Sequence, residues 1–266
     1  MANNENKVQF INLLSKAWGH QSYASKLQGR KVILISEGVA YELTSGDGTT
    51  MNKIEIESLR STQEETDSRV VLYCKYGKEN GYQYIRIKSP DSDVFFILLH
   101  YALKFDDSVI LFDTGTGNKQ RIINITELAD GYTQSHCTAL MCLHAYTGCD
   151  STSAFKGLGK IKPLKILPKN PKFAATLTRL GESWEVPDDL VDELEEFTCS
   201  MYGRARARKV NELRYIRIKE LCTKDNQLNP SKNVDRGTLP PCRRSLEQHI
   251  RRVNYQVGFW KMADIA

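Results

Sequence analysis

The stretch Lys88–Leu99, "KSPDSDVFFILL", sets two acids one residue apart, Asp91 and Asp93, against a long apolar run. Like charges this close repel unless a cation sits between them. A solvated turn carries both at little cost, because Asp bonds readily to nearby backbone in turns. What flanks the pair decides between these readings. Just upstream, "YQYIRIKS" alternates Tyr84, Arg86 and Lys88 with other side chains and predicts a strand. Downstream, "SVILFDT" and "RIINI" predict two more strands, with the Gly-rich "TGTGN" between them.

Further out, "KVQFINLLSKAW" (7–18) spaces Val8, Ile11, Leu14 and Trp18 as an amphipathic helix does. "KVILIS" (31–36) and "VAYELT" predict strands. "SLRSTQEETDSRVVLYCKYG" opens with polar capping residues and continues at helical spacing, and "SHCTALMCLHAYTG" predicts a helix that stops at Gly148. Strands alternating with helices predict an α/β domain with a mostly parallel sheet flanked by helices. In such sheets ligands sit off the carboxyl ends of the strands, and Asp91 and Asp93 fall at one such end. From Pro163 the texture changes to Pro-punctuated segments and then helices: an acidic one around residues 186–203, a basic one around 207–222 and a last one over 243–260. The expected division is an N-terminal helix and strands (1–60, the remnant of a truncated domain), a core over 61–167, and a smaller, helical, basic C-terminal region over 168–266.

The bulk figures agree with a soluble globular chain: 266 residues, 41% hydrophobic, 26% charged. The longest apolar run, "VFFILLHYAL", is short of the roughly 20 residues that a membrane span needs, and the start lacks the pattern of a secretory signal. No membrane partner is expected. Seven scattered cysteines, an odd number, fit a reduced intracellular protein with free thiols. Charge is uneven. Residues 201–266 hold 15 Lys/Arg against 6 Asp/Glu, which suits either a solvated helix surface or attraction to a phosphate backbone.

Three acidic clusters stand in order along the chain: Glu64, Glu65 and Asp67 in "QEETD", Asp91 and Asp93 in "SPDSD", and Asp150 in "TGCDST". Singly, each has a bland reading: acids at a helix start suit the helix dipole, Asp suits turns, and Asp150 suits a helix cap. Jointly they suit Mg²⁺ or Mn²⁺, because hard oxygen donors hold these ions for phosphodiester hydrolysis. After Asp150 the chain runs "STSAFKGLGKIKPLKIL". This order resembles the flap-endonuclease-type nucleases of the PIN-like superfamily over residues 61–167. The whole chain is similar to a group of animal proteins with that core, several of them derived from mobile elements.

The resemblance implies that Asp91, Asp93 and Asp150 are catalytic. It implies that Glu65 (or Glu64 in another register), Asp67, Asp91, Asp93 and Asp150 hold one or two Mg²⁺ or Mn²⁺ ions. It also implies that Gly157, Gly159, Lys160, Lys162 and Lys165 grip a nucleic-acid backbone, DNA rather than RNA, in the nucleus rather than the cytoplasm. One departure stands out. The family opens with a strand tipped by an aspartate, whereas "KVILIS" ends in Ser36 followed by Glu37. The chain then resembles a fragment missing that first strand or a descendant that lost it, one that folds poorly alone or takes the strand from a partner chain. Two functions follow: a metal-dependent nuclease, degenerate or intact, or an inactive nucleic-acid-binding or scaffold protein that keeps the fold. "SHCTALMCLHAYTGCD" gathers His136, Cys137, Cys142, His144 and Cys149, yet its spacing matches no zinc motif. Buried helix side chains are expected there.

Overall fold

The computed structural model describes residues 4–61, 66–105, 107–204, 206–224, 227–228 and 235–265. The chain forms two compact units, one of residues 1–82 with 263–266, the other of residues 83–262.

The smaller unit contains α1 (Asn4–Trp18), α2 (Ala24–Leu27), strands β1 (Val32–Ser36), β2 (Val39–Thr44) and β3 (Asn52–Glu55), and α3 (Thr66–Glu79). Its sheet is antiparallel throughout, in the order β1-β2-β3. The cause is local. Glu37 and Gly38 both have positive φ, 50° and 83°, and a two-residue turn of that kind joins only antiparallel neighbours. The tip of β1 is held from α1, where the Ser36 hydroxyl donates to Asn12 Oδ1 at 2.6 Å.

The larger unit opens with β4 (Tyr84–Lys88), crosses through α4 (Ser92–Tyr101) to β5 (Val109–Thr114), and turns back into β6 (Arg121–Asn124). β4 and β5 are parallel, with Lys88 opposite Asp113, whereas β5 and β6 are antiparallel. The expectation of a mostly parallel sheet flanked by helices is therefore corrected: the molecule is an α/β protein that is 57% helical, with two three-stranded sheets, one antiparallel and one mixed. Only one pair of strands has a helical crossover between its members. The "TGTGN" segment instead folds β6 straight back on β5. Gly115 makes that return possible, since a Cβ there would lie 2.3 Å from the Lys119 carbonyl oxygen.

Helices make up most of the rest: α5 (Ile125–Asp130), α6 (Gln134–Thr147), α7 (Ile161–Leu164), α8 (Pro171–Thr178), α9 (Asp188–Met201), α10 (Val210–Cys222) and α11 (Arg243–Lys261), with a two-stranded antiparallel sheet of β7 (Thr223–Lys224) and β8 (Gln227–Leu228) after α10. α6 is the axis of the unit. The Thr133 hydroxyl caps its start by accepting from His136 N–H, and every residue from Cys137 to Thr147 is buried. A helix apolar on all sides belongs inside a bundle, and α4, α8 and α11 pack around this one. Ile97, Met141, Leu177, Val253 and Trp260 are all at most 1% exposed, each burial contributing about 1.5–3 kcal/mol. Tyr101, at the end of α4, reaches the last turn of α11: its hydroxyl lies 3.1 Å from the Trp260 carbonyl oxygen and 2.7 Å from that of Lys261. Cys137 and Cys142 are fully buried free thiols, and burial pushes the Cys142 thiol up to about 12.

Candidate nucleic-acid interface

The acidic turn lies where β4 ends. Asp91 is the N-cap of α4, its Oδ1 accepting from Asp93 N–H at 2.8 Å. Asp93 is 6% exposed, and its Oδ1 accepts from His144 Nε2 at 2.7 Å. His144 stacks on Phe96, with ring centroids 4.2 Å apart, and lines an apolar cavity of about 550 Å³ together with Phe95, Leu99 and Leu143. One buried hydrogen bond thus ties the first turn of α4 to the last turn of α6. Asp113, at the carboxyl end of β5, is buried as well. Bonds from Gln120 and then Arg86 hold its carboxyl below the usual carboxylate range.

The other sequence-selected residues scatter. Asp150 is exposed, two residues beyond Gly148, the C-cap of α6. Its loop is anchored by Thr152, whose hydroxyl donates to the Ala145 carbonyl at 2.7 Å. Asp67 lies in α3, which belongs to the smaller unit. Glu64 and Glu65 lie outside the described residues. Gly157 and Gly159 both have positive φ in an exposed turn. Lys160 does not project from that turn: its ammonium caps the end of α6, donating to the carbonyls of His144 (3.0 Å) and Gly148. Burial lowers its pKa. Lys162 and Lys165 are exposed.

No three His, Cys, Asp or Glu side chains among the described residues are grouped to hold an ion, and Asp91 and Asp93 each have a partner within the protein. These bonds have a measurable consequence. Asp93→Ala strands the buried His144 Nε2–H and is expected to cost about 2 kcal/mol in urea unfolding. Asp150→Ala, at an exposed position, is expected to stay within about 0.5 kcal/mol of wild type. Equal effects at the two positions would refute this assignment.

A second feature lies on α11. Leu246, Ile250, Val253, Val257 and Trp260 form its buried stripe, while Arg244, Gln248, Arg251, Arg252, Tyr255 and Phe259 are exposed. At 3.6 residues per turn these six share one face. None of the three arginines forms an ion pair among the described residues, in contrast to Arg243, which binds Asp192, Glu195 and Glu247.

The stripe continues into an aromatic cluster. Trp184 lies 5.7 Å from Tyr255 and 5.6 Å from Phe259, centroid to centroid, and those two rings are 4.8 Å apart. All three remain open to solvent, at 58%, 58% and 42% exposure. Trp184 is set there by a loop stapled to the helix. Asn254, 2% exposed, accepts from Gly181 N–H at 2.8 Å and donates to the Ser183 carbonyl at 2.7 Å. The bare Gly258 leaves room for the indole, since a Cβ there would meet its Cζ3 at 3.1 Å.

The spacing of Tyr255 and Phe259, four apart on the arginine face, was visible in the sequence. Trp184 was not, because it arrives from 71 residues earlier. Comparison with protein-family models, curated proteins and solved structures gives no match. The functional reading therefore rests on these residues alone.

Proposed function

We propose that the protein binds single-stranded nucleic acid along the outer face of α11. The carrying observation is the exposed Trp184–Tyr255–Phe259 cluster running into three unpaired arginines on one helix face. Arginines follow the phosphates, and flat rings accept unpaired bases of any sequence, each stack contributing about 1–3 kcal/mol. The excess of basic residues over 201–266 favours the same partner through long-range attraction. A duplex keeps its bases stacked on one another and gains only the phosphate contacts. In this reading the acidic turn between β4 and α4 is part of the scaffold.

The test is fluorescence anisotropy with a labelled thymidine oligonucleotide, single-stranded and then annealed. The single strand should bind more tightly than the duplex. If three phosphates are contacted, raising salt from about 50 to 200 mM should weaken binding about 20-fold. Trp184→Ala should weaken it about tenfold. Equal affinity for duplex and single strand, or no effect of Trp184→Ala, removes the stacking role. Mn²⁺ should leave the strand uncut. Cleavage that an Asp91→Ala/Asp93→Ala double variant loses would instead restore hydrolysis as the function.

A further inference from the structure

At the start of α11 lies an open cavity of about 410 Å³ that shares Arg252 with the strand-binding face. Its size falls within the usual range of small-ligand pockets. Lys156, Arg214, Arg236, Arg252 and His249 contribute to its lining, and no acid does among the described residues. Lys156 pairs with Asp235 at 2.7 Å, and Arg214 donates to the Pro240 carbonyl at 2.6 Å. Arg236 and Arg252 have no hydrogen-bond or ion-pair partner among the described residues, so two guanidinium groups border the space unneutralised. α11 is 19 residues long and begins here, with Cys242 as its N-cap and Ser245 in its first turn, so its positive end adds to the same field.

Aromatic rings and a buried imidazole also line the cavity. Phe155 and Tyr202 line it, their rings edge to face at 6.5 Å. His249 is 6% exposed, and its Nε2 is 2.9 Å from the Tyr146 carbonyl oxygen. A carbonyl only accepts, so Nε2 carries the hydrogen. Nδ1 is then a bare acceptor with no partner among the described residues. Burial lowers the His249 pKa, which keeps the ring neutral and that lone pair available.

We infer that this cavity is a binding site for a phosphomonoester carried on a nucleotide-sized group, with the phosphate on Arg236 and Arg252 and a ligand N–H or O–H on His249 Nδ1. Arginine recognises phosphate by paired, charge-assisted hydrogen bonds. The ring-lined wall suits a sugar and base better than inorganic phosphate alone. A free nucleotide and the phosphorylated end of a strand share this chemistry. The inference shares Arg252 with the strand-binding reading, but Arg236 is not on the outer face of α11, so Arg236 tests the cavity separately.

Calorimetric titration with adenosine monophosphate, adenosine and inorganic phosphate tests it. Cys242 lines the cavity and provides a second readout. The Ser245 hydroxyl lowers its thiol pKa, so alkylation by iodoacetamide should be readily followed. Adenosine monophosphate should saturate one site and slow Cys242 alkylation; phosphate should compete weakly, and adenosine should not bind. Arg236→Ala should weaken the nucleotide about tenfold or more, and Arg236→Lys should restore part of the loss. Oligonucleotides with and without a 5′-phosphate separate the two sources of ligand. A phosphate effect that Arg236→Ala abolishes identifies a strand end, and its absence with nucleotide binding intact identifies a free nucleotide. If none of the phosphorylated probes binds or protects Cys242, or if Arg236→Ala changes nothing, the inference falls. Strand affinity measured on the same Arg236→Ala protein keeps the two readings separable, since it should remain within about twofold of wild type in the absence of a 5′-phosphate.

Discussion

Exchanging Arg243 for leucine is expected to destabilise the larger unit by roughly 3 kcal/mol, and adding Glu195→Gln to recover part of that loss. Glu195 sits in α9 with its side chain 1% exposed. Arg243 Nη1 binds it directly and also reaches Asp192 at 2.6 Å, while Nε binds Glu247 at 2.8 Å. Two further donors reach Glu195: Val210 N–H at 2.9 Å and Lys209 Nζ at 3.2 Å. Lys209 is 57% exposed, and an exposed ammonium contributes little. Removing Arg243 therefore leaves a buried carboxylate with one backbone bond and a screened charge. Urea unfolding of the two single variants and the double variant closes the cycle. A cost below about 1 kcal/mol for Arg243→Leu would mean that Lys209 alone satisfies Glu195.

Gly181→Ala should cost about as much, roughly 3 kcal/mol, and should reduce strand binding as well. Gly181 has φ +73°, and an added Cβ would lie 2.6 Å from Gly258 N and 2.8 Å from Val257 C. Both are helix backbone and do not yield as a side-chain tip would. The loop must lift, which strains the Asn254 bonds to Gly181 and Ser183 and carries Trp184 off Gly258. Thermal unfolding and anisotropy on the same preparation read the two effects. An unchanged unfolding midpoint together with unchanged affinity would show that the loop does not position the indole.

Most elements of this fold were legible in the sequence, because strand alternation and helical spacing are local. The pairing of the strands was less so. The two-residue Glu37–Gly38 link already implied a hairpin, and reading β1 and β2 as members of a parallel sheet passed over it. The acidic turn shows a different kind of limit. A carboxylate at a strand end serves equally as a helix N-cap, a hydrogen-bond partner for a distant side chain or a metal ligand, and "SPDSD" is compatible with all three. Asp91 took the first role. Asp93 took the second because α6 brings His144 to it from 51 residues away. Lys160 likewise looked like a phosphate ligand, since nothing local shows that its ammonium reaches the open carbonyls of α6. On α11, the basic face was visible in the sequence, but its meaning depended on Trp184.

Tyr101 touching the last turn of α11 has a bearing on synthesis of the chain. α6 is buried on every side, and one of the helices that covers it is synthesised well after it. His249 meets the Tyr146 carbonyl across 103 residues. At about 5–20 residues per second, α6 is complete for roughly ten seconds before that cover exists. Until then one side of α6 lacks its native cover, and apolar surface left open in this way favours off-pathway association.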